Sequence, residues 1–391
     1  MKQNPLLSLI QGIMTEFANL TGLSPAGEVP RRYLWTDAFA VCNFLELYRQ
    51  TCDEKYKNLA LLLVDQVHNV LGRHHEDDSR TGWISGLDEQ KGKMHPAKGG
   101  LRIGKKMNER SPFDRFDERL EWDRDGQYYH YLTKWMHALN RVSRVTGDTI
   151  YNTWAMELAK TAHAKFTYVP PSGGRKRMYW KMSIDLSYPL VESMGHHDPL
   201  DGFITYTQLQ ATAAKDSEKS VCPDLNEEIT DMTDICKGKS WNTDDPLGIG
   251  GLLCDAYKVA QILINENFEQ TDLLETLLDS SLPGLESYAR TNPLELPADY
   301  RLAFRELGLS IGLRAVEKLQ GLIEEKPDFF KKKHPLRTRI EILMRYAPLI
   351  EKIENFWLEP TSKKTDSWME HPEINMVMLA TSLAPDAYLT F

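Results

Sequence analysis

The chain has 391 residues, of which 41% are hydrophobic and nine are tryptophan, and it carries a formal net charge of −9. This composition suits a packed globular fold, whereas the acidic balance argues against a nucleic-acid partner, because the phosphate backbone rewards basic surfaces. No apolar stretch approaches the ~20 residues of a membrane helix, so no membrane partner is expected. The five cysteines form no CxxC pair, which favours a reducing, cytoplasmic compartment.

Helical periodicity dominates the chain, and its first helices pair into hairpins. Apolar residues recur at helical spacing in 37–49 and again in 56–71, with the polar turn 51–54 between them. A second pair of helices is predicted over 128–145 and 151–166. Short turns favour antiparallel neighbours, so both pairs are expected to form αα-hairpins.

Four more hairpins are predicted farther along the chain. Two of their inner helices are expected to begin at Asp198 and Asp245, because each aspartate precedes Pro-Leu and a long apolar run. Aspartate is a strong N-cap, and proline is favoured in the first helical turn. The other two predicted starts are Asp299 and Pro372. The expected outer helices are 225–237, 270–288, 337–353 and, closing a ring with the sixth inner helix, the N-terminal segment 6–20.

Two stretches interrupt the helical pattern. Residues 73–121 are rich in glycine, proline and charge, and residues 169–190 contain a Pro-Pro-Ser-Gly-Gly turn followed by a strand-like segment. Loops of this length usually serve as lids or binding loops. The predicted inner helices carry glycines in 248–254 and 306–312. A glycine in a helix costs ~1 kcal/mol relative to alanine, so close helix packing is expected to compensate there.

This organisation resembles the six-hairpin glycosidase superfamily over most of the chain. The matching segments are Trp35-Thr-Asp37, Glu121-Trp-Asp-Arg-Asp125, His196-His-Asp198 and Asp244-Asp245. The superfamily includes glycosidases, unsaturated glucuronyl hydrolases and, in a related toroid, N-acylglucosamine 2-epimerases. In these proteins the N-termini of the inner helices line a funnel of carboxylates or histidines and sugar-stacking aromatic rings.

The resemblance implies an all-α fold, an (α/α)6 toroid of six helical hairpins. It implies one domain over residues 1–391, with insertion loops 73–121 and 169–190 and a minor β-hairpin. The simplest activity that the resemblance implies is glycoside hydrolysis, which needs two carboxyl groups, one protonated and one ionised.

The candidate catalytic carboxylates lie at or near the inner-helix starts. One of Asp37, Asp123 and Asp125 is predicted to protonate the leaving oxygen, although Arg124 is also placed to neutralise its two flanking aspartates. Asp244 is predicted to activate water, with a solvated charge at the helix end as the alternative. Its neighbour Asp245 repels it, and such repulsion raises the pKa of one of two adjacent carboxyl groups.

His196 and His197 follow a glycine at the predicted start of the third inner helix. Histidine exchanges protons near neutral pH, so His197 is a candidate catalytic residue and His196 a candidate substrate contact. Hydrogen bonding to neighbouring loops is the structural alternative for both. Asp198 is also a candidate substrate contact, with helix capping as the alternative. No HExxH or Cys/His spacing supports zinc, and no metal or other cofactor is expected.

The remaining candidate substrate contacts are aromatic or basic. Segment 91–106 carries six lysine or arginine residues and no acidic residue, a local reversal in an acidic chain. It predicts an electropositive lid over an anionic sugar, with a solvated loop as the alternative. The residues are Lys98 and Arg102 in this segment, and the aromatic Trp35, Trp122, Tyr128, Tyr129 and Trp241 elsewhere.

The main functional prediction is a glycoside hydrolase acting on an oligosaccharide or an acidic sugar. One alternative is a sugar epimerase or isomerase that uses His196 or His197, and another is a non-catalytic toroid that binds a glycan or a protein. Two carboxyl groups ~5 to 10 Å apart across a cavity favour hydrolysis. Paired histidines facing a sugar-sized pocket favour proton transfer, and an apolar or blocked cavity favours binding alone.

Overall fold

The computed structural model describes residues 4–27, 30–215, 223–265, 271–330 and 334–390. Residue contacts divide the chain into two compact units. Unit I is Ala18–Gly238, and unit II comprises Met1–Phe17 and Lys239–Phe391. Helix α1 (Pro5–Leu20) begins in unit II and ends in unit I. The prediction of a single domain stays a prediction.

Unit I contains three helical hairpins. Its helices are α2 (Leu34–Thr51), α3 (Glu54–Leu71), α4 (Glu89–Met94), α5 (Glu118–Asp123), α6 (Tyr129–Thr146), α7 (Ile150–Phe166), α8 (Asp198–Ala214) and α9 (Asn226–Cys236). Helix α2 packs on α3, α6 on α7 and α8 on α9, and the inner helices α2, α6 and α8 pack in that order. These contacts confirm the three hairpins that the sequence predicts here. The turn and cap residues that mark them are local features of the sequence. Cys52 and Gly147 end α2 and α6 in the left-handed conformation, and Asp53 caps α3.

Two small antiparallel sheets occupy the loops of unit I. Their strands are β1 (Gln127–Tyr128), β2 (Thr167–Tyr168), β3 (Arg177–Met178), β4 (Lys181–Met182) and β5 (Pro189–Val191). Strand β4 lies between β1 and β5, and β2 pairs with β3. The predicted β-hairpin in 169–190 is thus part of a larger arrangement. Because β1 runs directly into α6, its pairing with β4 fixes where that inner helix begins.

Unit II also places its inner helices side by side. Its further helices are α10 (Pro246–Asn265), α11 (Thr271–Thr291), α12 (Ala303–Glu325), α13 (Pro327–Phe330), α14 (His334–Met344), α15 (Pro348–Leu358), α16 (Asp366–Met369), α17 (Pro372–Leu383) and α18 (Asp386–Leu389), with 3-10 turns at Pro293–Glu295, Ala298–Tyr300 and Ser362–Lys364. Helix α10 packs on α11 and α12, and α12 packs on α14, α15 and α17.

The fifth hairpin differs from its prediction in two details. Asp299 lies in a 3-10 turn, and the inner helix α12 begins four residues later at Ala303. The single outer helix predicted over 337–353 is broken into α14 and α15. The break comes immediately before Pro348, whose ring fixes its φ and whose missing N–H suits the first turn of a new helix.

The glycines of α10 and α12 allow a close helix crossing. A Cβ atom on Gly250 would overlap the carbonyl oxygen of Gly308, and one on Gly312 would lie 2.5 Å from the Cα atom of Gly250. The expected compensation for the helical glycines is therefore confirmed.

Helix α10 corrects one expectation from composition. Its segment Pro246–Ile264 is long and apolar enough to cross a membrane, although no apolar stretch of that kind was expected. Within this segment, 72% of the window is buried. The buried core helix of a soluble protein meets the same criteria, so this one helix is weak evidence for a membrane span.

Candidate functional site

A cluster of aromatic side chains lies where β1 passes into α6. Tyr128, His130 and Tyr131 come from this junction, and their ring centroids lie 4.8 to 5.4 Å apart. Trp35, in the first turn of α2, lies 6.0 Å from His130 and 5.4 Å from Tyr131. Trp180, just before β4, lies 5.4 Å from Tyr128 and 6.4 Å from His130, with an interplanar angle of 19° to the imidazole. We call these five residues the aromatic site.

The aromatic site presents accessible rings, and Trp122 extends it. Trp35 and Trp180 are half-buried, whereas Trp122 is 49% exposed and lies edge-on to Trp180 at 5.5 Å. Lys105 donates from Nζ to the carbonyl oxygen of Trp122 at 2.6 Å. Aromatic walls with a few polar groups are typical of small-molecule sites, and the apolar C–H faces of a sugar ring pack well on such rings.

A buried ion-pair network lies next to Tyr128 of the aromatic site. Lys181 is fully buried and donates from Nζ to the carboxylate of Glu121 at 2.9 Å. It also donates to the carbonyl oxygens of Glu121 and Arg124, at 2.7 and 2.9 Å. Burial lowers the pKa of Lys181, and the hydrogen bond to Glu121 opposes that shift. Because Lys181 also lies 5.4 Å from the centre of the Tyr128 ring, the network connects α5 to the start of α6.

His130 lies beside Asp198, the first residue of α8. The distance from His130 Nδ1 to Asp198 Oδ1 is 3.7 Å, beyond hydrogen-bond length. Nδ1 of His130 and Oδ2 of Asp198 are both buried without a hydrogen-bond partner. Burial lowers the pKa of His130 to about 4. Burial, together with the charge of Asp201, raises the pKa of Asp198 well above its usual value. Both shifts favour the uncharged forms of the two side chains.

The two histidines predicted from the sequence precede this carboxyl group directly. His197 is the N-cap residue of α8 and is half-buried, whereas His196 is exposed. Their ring centroids lie 4.7 Å apart. The paired histidines thus directly precede the carboxyl group that faces His130 at 3.7 Å.

The structure therefore brings together several of the predicted contacts and adds others. Trp35, Tyr128 and Asp198 meet here, and Trp122 lies at the edge. Sequence reasoning missed His130, Tyr131 and Trp180. The available signal for the first two was the uninterrupted aromatic run 128–131.

Tyr129 lies away from the aromatic site, although it belongs to the same run. It is fully buried, and its hydroxyl donates to the hydroxyl of Tyr206 at 2.8 Å. Successive residues at a helix start point in different directions, so Tyr129 enters the core while its neighbours do not.

Two predicted acids are held by other groups. Asp37 is buried, accepts from the backbone N–H of Tyr33 at 2.9 Å and pairs with Arg32 at 3.4 Å. Asp125 is buried and accepts from Arg102 and from the backbone N–H groups of Gly104 and Gly126. Both arrangements stabilise local backbone. Asp123 is exposed at the end of α5.

The two predicted contacts of the basic segment, Lys98 and Arg102, differ in exposure. Arg102 is only 6% exposed. Its guanidinium donates to Asp125 and to the carbonyl oxygens of Arg73 and Val70, at 2.6 and 2.9 Å for the carbonyls. Arg102 therefore links its loop to the end of helix α3, and its buried guanidinium is not exposed to an anionic sugar. Lys98 is exposed, and its carbonyl accepts from Thr161.

Asp244 and Trp241 belong to unit II, and their roles stay predictions. Trp241 is buried and Asp244 is exposed. Asp245 accepts from the N–H of Leu247 at 3.4 Å and from Arg305 at 2.7 Å, which agrees with a helix-capping position. Within the described ranges, no group of three histidine, cysteine or acidic residues is placed to hold a metal ion.

Solved structures of sugar epimerases share this fold. A cellobiose 2-epimerase from Spirochaeta thermophila is 13% identical, with a TM-score of 0.50 over 97% of this chain and 99% of its own. A sugar epimerase from a ruminal bacterium is 10% identical, with a TM-score of 0.50 over 96% of this chain and 98% of its own. No protein-family model and no curated protein matches the sequence significantly.

The likeness to these two structures confirms the predicted fold class. The chain is an all-α protein with an (α/α)6 fold. At sequence identities of 13% and 10%, this likeness establishes a shared fold and no shared activity.

Proposed function

We propose that the protein is a carbohydrate-active enzyme that epimerises or isomerises a sugar at the aromatic site of unit I. The observation that carries the proposal is that His196 and His197 directly precede Asp198, whose carboxyl group faces His130 of the aromatic site at 3.7 Å. The rings suit a sugar, and the histidines suit proton transfer at the same place. A small sugar or an oligosaccharide is the proposed substrate.

Epimerisation accounts for this site better than glycoside hydrolysis does. A hydrolase needs two carboxyl groups flanking the scissile bond. In unit I, Asp37 and Asp125 are buried against arginines, and Asp201 pairs with Lys134 at 3.0 Å. The two solved proteins that share the fold are described as epimerases. These observations support the alternative reading of the sequence over the hydrolase.

The proposed reaction moves a proton on a carbon next to a carbonyl group. A neutral imidazole of His197, or of its neighbour His196, accepts the proton from C2 of an open-chain aldose. The electron pair of that C–H bond forms a C1–C2 double bond, and the carbonyl oxygen takes up the negative charge or a proton. Return of a proton to the other face of C2 gives the epimer. Return to C1, with proton loss from the C2 hydroxyl, gives the ketose. No oxidant or reductant is consumed in either case.

Solvent exchange at C2 tests this proposal. Aldohexoses and β-linked disaccharides are incubated with the protein in D2O, and NMR follows deuterium at C2 and the formation of epimer or ketose. Deuterated product is expected from wild type. A loss of roughly 10²- to 10⁴-fold is expected for His197→Gln, with His196→Gln alongside to decide which histidine carries the proton.

His163→Gln is the matched control, because His163 is a buried histidine of α7 that pairs with Asp231 of α9 at 2.9 Å. It is expected to keep wild-type turnover. Release of a reducing sugar without exchange at C2 would instead support the hydrolase. Sugar binding without either reaction would support a binding protein.

A further inference from the structure

We infer that His130 is a catalytic acid of the proposed epimerisation, which protonates the carbonyl oxygen of the sugar, and that Asp198 is the positioning residue that supplies its proton. The inference rests on the proposed function and assigns a second role within the same site. The base acts at C2, whereas His130 acts at the oxygen on C1.

The geometry sets this pair apart from an ordinary structural contact. Buried polar atoms almost always have hydrogen-bond partners, and each exception in a folded protein calls for an explanation. Here Nδ1 of His130 and Oδ2 of Asp198 are both exceptions, and the other carboxylate oxygen of Asp198, Oδ1, lies 3.7 Å from that Nδ1. An approach of about 1 Å would give a normal hydrogen bond. Catalytic hydrogen bonds are often long in a free enzyme and tighten when the substrate binds.

Asp198 is not needed as a helix cap. His197 occupies the N-cap position of α8, and Asp198 is the first helical residue. Its carboxyl group lies over the backbone of Gly195, where any Cβ atom would overlap both carboxyl oxygens. Glycine at this position therefore makes room for the carboxyl group to face His130.

The surroundings favour a neutral pair. Trp35, Tyr131 and Trp180 cover the imidazole with aromatic surface, although 24% of its side chain stays accessible. The charged groups that act on the pair are Asp201 on α8 and Lys134 on α6, which form an ion pair with each other at 3.0 Å. The lowered pKa of His130 and the raised pKa of Asp198 agree with an imidazole and a carboxylic acid that are both uncharged.

A neutral pair can pass a proton without creating a buried cation. The carboxylic acid of Asp198 donates to Nδ1 of His130, so the imidazole proton resides on Nε2. When the base removes the C2 proton, Nε2–H protonates the carbonyl oxygen and Nδ1 takes the proton of Asp198. The sugar becomes an enediol, His130 stays neutral and Asp198 becomes a carboxylate. Reversal of these steps restores the carbonyl group. Other enolising enzymes use a neutral imidazole or a protonated carboxyl group as the electrophile in this way.

Nitrogen NMR of histidine-labelled protein tests the pair without reference to activity. For wild type, His130 is expected to show an unprotonated Nδ1 and a protonated Nε2, and to stay neutral down to about pH 5. His130→Gln assigns the resonance. Titration of His130 with an ordinary midpoint of about 6.5, or a proton on Nδ1, would overturn the inference whatever the activity.

Turnover then tests the catalytic role. His130→Gln keeps an N–H donor but cannot transfer a proton, and Asp198→Asn resembles the protonated acid but cannot release its proton. Each is expected to lower kcat by roughly 10²- to 10⁴-fold with a smaller change in KM. Added imidazole is expected to restore part of the activity of His130→Ala but not of His130→Ala/Asp198→Asn. The wild-type rate is expected to fall as rising pH removes the proton of Asp198, and Asp198→Asn is expected to lack that fall.

Asp231→Asn is the matched control, because it alters a second histidine–aspartate contact of unit I, between His163 and Asp231, and it is expected to keep wild-type kcat. Wild-type kcat in both His130→Gln and Asp198→Asn would overturn the inference while leaving the epimerase proposal in place. Absence of C2 exchange in wild type would overturn the proposed function, and the catalytic role of His130 with it.

Discussion

Replacing Lys181 by methionine tests whether the buried network beneath the aromatic site maintains its shape. Methionine is chosen because it is long, unbranched and apolar, so it fills the space of the lysine stem without its charge. The substitution removes the Nζ donor from three acceptors, namely the carboxylate and carbonyl oxygens of Glu121 and the carbonyl oxygen of Arg124. Glu121 is 3% exposed, so water cannot replace the lost donor fully.

The expected loss in the free energy of unfolding follows from the burial of this pair. Removing one partner of a buried ion pair costs ~3 to 5 kcal/mol, because an uncompensated charge remains. Glu121 keeps a second cation, since Arg110 Nε donates to its other carboxylate oxygen at 3.0 Å. This remaining partner places the expected loss for Lys181→Met near the lower limit, at ~3 kcal/mol. The double variant Lys181→Met/Glu121→Gln is expected to lose less stability than the sum of the two single losses, by ~0.5 to 3 kcal/mol, because the Lys181–Glu121 interaction is lost only once.

Urea unfolding at neutral pH, followed by tryptophan fluorescence, measures both quantities. Glu121→Gln completes the double-mutant cycle and supplies the coupling energy. Trp122 and Tyr128 are attached to the two ends of the network, so the KM for the sugar is expected to rise in Lys181→Met. A loss below ~1 kcal/mol, or strict additivity in the cycle, would refute the argument that the network holds these ends together.

Three further predictions concern stability and binding. His68 is buried, and burial lowers the pKa of its imidazole to about 3 in the folded chain, against ~6.5 in the unfolded chain. Between these two pH values the unfolded chain binds a proton at His68 and the folded chain does not. The free energy of unfolding therefore falls as the pH drops from about 6.5 towards 3. Denaturant titrations at about pH 7 and about pH 4.5 are expected to show ~2.5 kcal/mol more loss in wild type than in His68→Gln. Gly250→Ala is expected to destabilise the protein by ~1 to 3 kcal/mol, because its Cβ atom would overlap a carbonyl oxygen of α12. Gly251→Ala is expected to stabilise the protein by up to ~1 kcal/mol, because a Cβ atom there would lie in open space. Thermal unfolding measures both changes. Trp122→Ala is expected to raise the sugar KM by roughly tenfold with little change in kcat, and Trp154→Ala on the outer helix α7 to leave both unchanged.

The hairpins were predictable because each depends on local signals. The left-handed residues Cys52 and Gly147 and the cap Asp53 mark turns that a reader of the sequence can locate. The division of the fifth outer helix at Pro348 also has a local cause, which the prediction overlooked. The pairing of β1 with β4 was harder to foresee, because strands of two residues have no periodicity to detect.

The members of the aromatic site were predictable only in part. Trp35, Trp122 and Tyr128 stood out in the sequence as aromatic residues near helix starts, and the structure places them in or beside the same cluster. Trp180 comes from a loop 145 residues after Trp35, and nothing local links the two. Arg102 shows the opposite error: its segment is basic, yet its own guanidinium is committed to a buried carboxylate. Net charge along a segment says nothing about which of its charges reach the surface.

The two Asp-Pro-Leu segments show why local sequence does not determine a residue's role. Both were predicted to cap helices, and both lie at the start of one. Asp245 is half-exposed, accepts from the N–H of Leu247 and pairs with Arg305, as expected for a helix cap. Asp198 lies against a glycine and faces His130 in a buried aromatic setting, which disfavours its ionised form. The same three residues thus give a structural carboxylate in one place and a candidate proton donor in the other. The difference comes from tertiary neighbours, because burial sets the cost of charge.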